Sequence, residues 1–217
     1  MWRKVVAEAL GALLLAACVI GSGIMAERLA AGNGAIALLA NTLATVAGLA
    51  TLITLFGPIS GAHFNPIISA VAWRTAQIDA RTATLFMLAQ VAGCCAGAAL
   101  ANVMFELPMV YPSSHVRTGA AQWLSESVAT AGLVFVAFRC ATCNEAAWRV
   151  SLWIGAAYWF TASTSFANPA ITIGRSLSDT FAGIRPVDVP GFIAAQIAGA
   201  LVGAALLRVF AKREATA

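Results

Sequence analysis

Two stretches decide how this chain folds: Ser60-Gly61-Ala62-His63-Phe64-Asn65-Pro66-Ile67, and Ser165-Phe166-Ala167-Asn168-Pro169-Ala170-Ile171. Each carries Asn-Pro in apolar surroundings, one in each half of the 217-residue chain. Asn is a strong helix N-cap and Pro is favoured at the first helical position, so each pair predicts the start of a helix. A helix that starts inside a bilayer leaves backbone groups that only buried protein or a water-filled cavity can satisfy. Two such starts predict a pathway across the membrane.

The composition around them fits a lipid setting. Hydrophobic residues make up 60% of the chain, charged residues only 10%, and mean hydropathy is +0.84. A soluble domain carries roughly 25% charged residues. The net charge of +4 is spread among apolar segments and forms no basic stripe, so nucleic acid is not an expected partner. Cys18, Cys94, Cys95, Cys140 and Cys143 are odd in number, three of them within apolar runs, which is no disulfide framework. Cys140-Ala141-Thr142-Cys143 has CxxC spacing without a second pair or a nearby His, so a four-ligand site is incomplete; two ordinary thiols at a helix end are expected over a zinc or arsenic(III) thiolate site.

Apolar runs measured against the ~20 residues needed to cross a bilayer give six spans. They lie near residues 5–26, 35–56, 82–105, 120–138, 148–164 and 189–210. The first imitates a lipoprotein signal ending at Cys18, but Glu8 interrupts it and it continues to Ala26, as a full span does. Runs 65–73 and 168–177 are too short to span and read as re-entrant half-helices. The halves also repeat. Ala89-Gln90-Val91-Ala92-Gly93 matches Ala195-Gln196-Ile197-Ala198-Gly199, Gly97-Ala98-Ala99-Leu100 matches Gly203-Ala204-Ala205-Leu206, and Glu8 matches Glu126. Repeat one covers about 1–108 and repeat two about 118–217 of a single channel domain. Three spans per repeat is odd, so the second copy is inverted, an arrangement that builds solute pathways near the midplane. The glycines of each repeat, one turn apart, predict close helix approach within the bundle.

Basic residues set the orientation. With both termini cytoplasmic, Arg3, Lys4, Arg74, Arg81, Arg139, Arg149, Arg208, Lys212 and Arg213 lie inside and Arg28, Arg117, Arg175 and Arg185 outside. That satisfies the positive-inside rule and the flipped topology violates it. With no separate targeting segment evident, a bacterial-type inner (plasma) membrane is expected.

With these features the chain resembles the major intrinsic protein family, the aquaporins and glycerol-type facilitators. The resemblance rests on six spans, the duplication, Ser-Gly-Ala-His before the first Asn-Pro, the repeated Glu and Ala-Gln-x-Ala-Gly, and it covers nearly the whole chain. It implies an all-α membrane fold with a narrow pore in each subunit of a homotetramer. The Asn-Pro motifs, Asn65-Pro66-Ile67 and Asn168-Pro169-Ala170, would set two positive helix ends at the bilayer centre, opposing cations, while Asn65 and Asn168 offer amide donors to a passing hydroxyl. The resemblance gives Glu8 and Glu126 a role in holding the re-entrant loops; carrying protons is the competing reading of intramembrane acids. His63 faces the pore or packs as a hydrogen-bonded core residue.

The resemblance breaks at one place. Most members carry Arg directly after the second Asn-Pro-Ala, where this chain has Ile171. Counting along the family pattern puts the other constriction positions at Thr45, Ala156 and Ser165. That quartet has neither ring nor charge, which implies a wide, weakly polar constriction, and Ile67 adds an apolar wall. Arg175, four residues beyond Ile171, shares its helical face and is a candidate vestibule charge; the alternatives are snorkelling to headgroups and pairing with Asp179. The expected function is a passive channel for water and small neutral solutes, among them polyols, urea and undissociated metalloid acids such as arsenous acid. A water-selective channel and a proton-coupled transporter are the rivals. No catalytic constellation, metal set or cofactor motif is present: His63 and His115 are the only histidines, and His115 lies in a loop.

Overall fold

The structure, a computed structural model, describes residues 1–211. The basic residues Lys212 and Arg213 lie outside that range. Eight α-helices follow in order: α1 (Trp2–Leu29), α2 (Gly34–Ser60), α3 (Pro66–Arg74), α4 (Ala80–Met104), α5 (Ala120–Ala137), α6 (Cys143–Phe160), α7 (Pro169–Arg175) and α8 (Val189–Val209). Helices α1, α2 and α4, and α8 with the short turn before it, are long and apolar enough to cross a membrane on length and composition alone. The shorter α5 and α6 have 18 residues each, about 27 Å of helix. The fifth span begins earlier than its hydropathy predicts, because Thr142 caps α6 by accepting from the Glu145 N–H at 3.1 Å. The first span runs unbroken through Cys18.

Both half-helices start where Asn-Pro predicts. Asn65 Oδ1 accepts from the Ile67 N–H, and Asn168 Oδ1 accepts from the Ala170 and Ile171 N–H groups, with each Pro as the first helical residue. The packing is paired across the halves. α1 packs on α4 and α2, α5 on α8 and α6, α7 on α4 and α3 on α8. The repeated glycines let helix backbones of the α1–α4 and α5–α8 pairs approach closely. A Cβ on Gly93 or Gly97 would meet the Ala9 or Leu13 carbonyl oxygen at 2.3 or 2.2 Å, and one on Gly199 or Gly203 would meet that of Ser127 or Ala131 at 2.3 or 2.6 Å. They serve packing within the bundle. A main core of apolar side chains, including Leu15, Ile53, Phe56, Leu133 and Tyr158, surrounds the two half-helices.

Candidate functional site

The two loops that lead into α3 and α7 are built on the same plan. Positive φ falls at Gly61, Ala62 and Phe64 in the first and at Thr164, Ser165 and Ala167 in the second, the same three places counted back from each Asn. Only one of the six is glycine, and a non-glycine residue in this region costs on the order of 1–3 kcal/mol. A buried glutamate offsets that cost in each loop. Glu8 accepts from the Ser60 hydroxyl (2.6 Å), the His63 and Phe64 N–H groups (3.0 and 2.7 Å) and the Gln90 amide (2.7 Å). Glu126 accepts from the Ser163 hydroxyl (2.6 Å), the Phe166 and Ala167 N–H groups (both 2.8 Å) and the Gln196 amide (2.7 Å). Burying a carboxylate costs several kcal/mol unless it is well bonded, and four charge-assisted bonds supply that compensation. The same amides of Gln90 and Gln196 also donate to Ser69 and Thr172 on the half-helices. These glutamines stand in the repeated sequence, which was the available signal for their role.

The loops are then clasped to each other. Asn65 Nδ2 donates to the Ala167 carbonyl and Asn168 Nδ2 to the Phe64 carbonyl, both at 2.8 Å. Each amide group has two N–H donors. One is spent across the junction, leaving the other as the donor a solute can use. The N-termini of α3 and α7 are thereby brought together, with their positive dipole ends at one locus.

A cavity of about 350 Å³ passes this junction, lined by both Asn residues. Towards the face that carries both described chain ends its wall includes His63, Gln77, Phe138, Cys140 and Cys143. Towards the opposite, loop-bearing face it includes Thr45, Tyr158, Ser165, Ile171 and Arg175. His63 lines the cavity, its Nδ1 lies 3.0 Å from the Ser69 hydroxyl, and its ring packs edge-on against Phe86. Ile67 is in the core and not on the cavity wall, where its neighbour Ile68 stands instead.

One constriction position differs from its expected place. Ala156 is exposed on the outer surface of α6. Val150, Ile154 and Tyr158, at i, i+4 and i+8, form the face of α6 that lines the cavity, and a residue two positions from Ile154 points away from it. Tyr158 therefore brings a ring and a hydroxyl to the wall, 3.4 Å from the Thr45 hydroxyl. The Ser165 hydroxyl is buried on that wall without a hydrogen-bond partner among the described residues.

Arg175 is 3% exposed, so it does not snorkel, and Asp179 is not its partner. Asp179 instead accepts from the Ser114 N–H and hydroxyl. The Arg175 Nε donates to the Ala182 carbonyl, and its guanidinium lies over the Phe166 ring, 3.3 Å from the centroid. Its remaining N–H groups have no protein acceptor among the described residues and belong to the cavity wall. A second guanidinium, that of Arg117, lies 5.0 Å from the same ring. Arg117 donates to the carbonyls of Gly183, Ser163 and Phe181, pinning the loop before α5 to the segments that enter and leave α7. Its sequence context marks it only as a topology charge. Burial and the nearby guanidiniums of Arg117 and Arg175 hold the His115 imidazole below its ordinary value, so arginines supply the positive charge of this mouth. No group of three or more His, Cys, Asp or Glu side chains able to hold a metal occurs among the described residues.

Comparison with known proteins gives a consistent picture. The family model described as Major intrinsic protein matches residues 1–162 and 140–217. Aquaglyceroporin AqpS of Rhizobium meliloti (strain 1021) is 53% identical over 208 residues, covering 95% of this chain and 89% of that protein. The lens fiber major intrinsic protein of Gallus gallus is 35% identical over 97 residues, 45% of this chain and 35% of that protein. The X-ray structure of the aquaglyceroporin from Plasmodium falciparum superposes with a TM-score of 0.72 at 20% identity, covering 97% of this chain and 96% of that one.

Proposed function

The chain belongs to the major intrinsic protein family, a multi-pass membrane channel and not an enzyme, and from that premise we propose that its cavity conducts small neutral solutes larger than water. The observation that carries this reading is the wall beyond the Asn clasp. Ile171 occupies the position of the usual Arg, and the only guanidinium on the cavity wall among the described residues, that of Arg175, enters one helical turn later and stacks on Phe166. A solute leaving the Asn donors next meets Ser165, Thr45 and Tyr158, three hydroxyls, with an apolar flank at Ile171. Polyols, urea and undissociated metalloid acids such as arsenous acid carry the complementary hydroxyl or amide groups and no net charge. Water accompanies them. The name of the Rhizobium relative supports a solute range wider than water.

Glu8 and Glu126 act as loop anchors in this reading, since a proton on any of their carboxyl oxygens would face two groups that already donate to it. The constriction is assigned to Thr45, Tyr158, Ser165 and Ile171, with Arg175 as the charge that opposes cations. The proposed assembly is a homotetramer in the inner membrane, as the family resemblance implies, and the basic-residue count favours cytoplasmic termini.

Stopped-flow light scattering on proteoliposomes, with water, glycerol, urea and arsenite gradients, tests the proposal. Flux of glycerol or arsenite together with water is expected; water flux alone would overturn the solute range. Arg175→Ala should alter glycerol flux severalfold and open a sodium leak, while Arg175→Lys keeps the leak low. An Arg175→Ala protein with unchanged flux and no leak removes Arg175 from the filter.

A further inference from the structure

The CxxC pair is not used by the conduction pathway described above, yet both of its cysteines line that pathway. Cys140 and Cys143 sit on the cavity wall at the mouth opposite Arg175, both partly accessible and both free thiols. The turn that carries them is held from several sides. Thr142 caps α6, the Ala141 N–H donates to Glu145 Oε2 at 3.0 Å, and Glu145 pairs with Arg149 at 3.6 Å. Cys143 packs closely against α2 at Gly57, where a Cβ would come within 2.9 Å of its Sγ, so this thiol is held at the wall between α6 and α2. The Cys140 Sγ–H donates to the Val136 carbonyl at 3.2 Å.

We propose that Cys140 and Cys143 form a dithiol site at this mouth that captures trivalent arsenic and thereby restricts the conduit. Two sulfurs without a third protein ligand are too few for a tetrahedral zinc site. They suit a trivalent metalloid hydroxide, which needs two sulfurs and keeps one hydroxyl. In the reaction two S–H bonds and two As–OH bonds break, two As–S bonds form, and two waters leave carrying the thiol protons. Arsenic stays trivalent, so neither oxidant nor reductant is required. Burial raises the Cys140 thiol above its ordinary value with Arg149 opposing, and a protonated thiol is a competent reactant in this condensation. The ligand is the metalloid class of the proposed function, so this site deepens that reading and has its own readout.

The test uses the full chain in proteoliposomes kept reduced with a phosphine, arsenite equilibrated on both sides, and a glycerol gradient. Because arsenite is present on both sides, site occupancy does not depend on its permeation. Arsenite should lower glycerol flux severalfold, a dithiol should restore it, and in the Cys140→Ser, Cys143→Ser protein the glycerol flux, whatever its basal value, should be the same with and without arsenite. In the unaltered protein arsenite should also protect Cys140 and Cys143, but not Cys95, from maleimide, which reads the site without any substitution. Glycerol flux indifferent to arsenite with both cysteines still labelled overturns the site while leaving the channel proposal intact. Inhibition that persists in the double variant also overturns it. Inhibition and protection in a protein that passes no arsenite uphold the site and instead remove arsenite from the list of conducted solutes.

Discussion

Tyr158 and Ala156 show how much depends on which way one side chain of α6 points. Their positions differ by two residues, yet Tyr158 is in the core lining the cavity and Ala156 faces outward. Tyr158→Ala should therefore raise glycerol and urea flux severalfold by removing the ring, whereas Ala156→Phe should leave both within about twofold, because a buried-to-exposed difference separates them. Proteoliposome flux measured on the two proteins decides the assignment, and a block by Ala156→Phe would place Ala156 at the constriction. The i, i+4, i+8 pattern Val150, Ile154, Tyr158 was open to view in the sequence, and a helical reading of α6 favours it over a count along a family pattern. Arg175 was more legible: sharing a face with Ile171 follows from spacing four. That its guanidinium would lie on Phe166 was not, since Phe166 belongs to a loop whose path is set by Glu126, forty residues earlier in the chain. Arg117 was the least legible, because nothing local distinguishes a buried Arg in a loop from a topology charge.

Pairs of helices are fixed together where glycine permits backbone contact. At Gly97 the Leu13 carbonyl oxygen occupies the space a Cβ would need, 2.2 Å away. Gly97→Leu must push α4 off α1, and overpacking of this kind costs typically 1–3 kcal/mol. The expected outcome is a lower Tm in detergent and a loss of monodisperse protein; an unchanged Tm would mean that α1 and α4 slide apart without penalty. The same displacement would reach the site, since α1 carries Glu8 and α4 carries Gln90, and the two meet at 2.7 Å. The glycine spacing thus announces close approach at the level of the element, and the repeated Gln and Glu announce what the approach brings together. The register of α6 and the early start of that helix needed the Thr142 cap, which hydropathy does not see.

Across the whole molecule the two halves complete each other. The clasps between Asn65 and Ala167 and between Asn168 and Phe64 join residues 102 and 104 apart in sequence. α2 packs on α6 and each half-helix packs on a long helix of the other half. Neither half has its own solute path. Residues 1–108 and 118–217 produced separately should give no glycerol flux, while the two produced together should recover it in proteoliposomes. Flux from one half alone would contradict the shared junction. The duplication made this architecture readable, because a motif that recurs in an odd-span repeat has to face its copy.

The buried carboxylate of α1 has a consequence for the order in which the protein is made. Glu8 leaves the ribosome early, but its partners Ser60, His63, Phe64 and Gln90 follow 52, 55, 56 and 82 residues later. At about 5–20 residues per second, the last of them arrives roughly 4–16 s after the acid. For that interval the first span carries an acid without its hydrogen-bond partners, which insertion into the bilayer penalises. The span reaches its final environment only when α4 emerges with its glutamine. The second half waits less, since Glu126 finds its partners within 37 to 70 residues. Biogenesis of the first half is therefore the slower and more vulnerable stage, and a chaperoning step that shelters α1 during translation would act there.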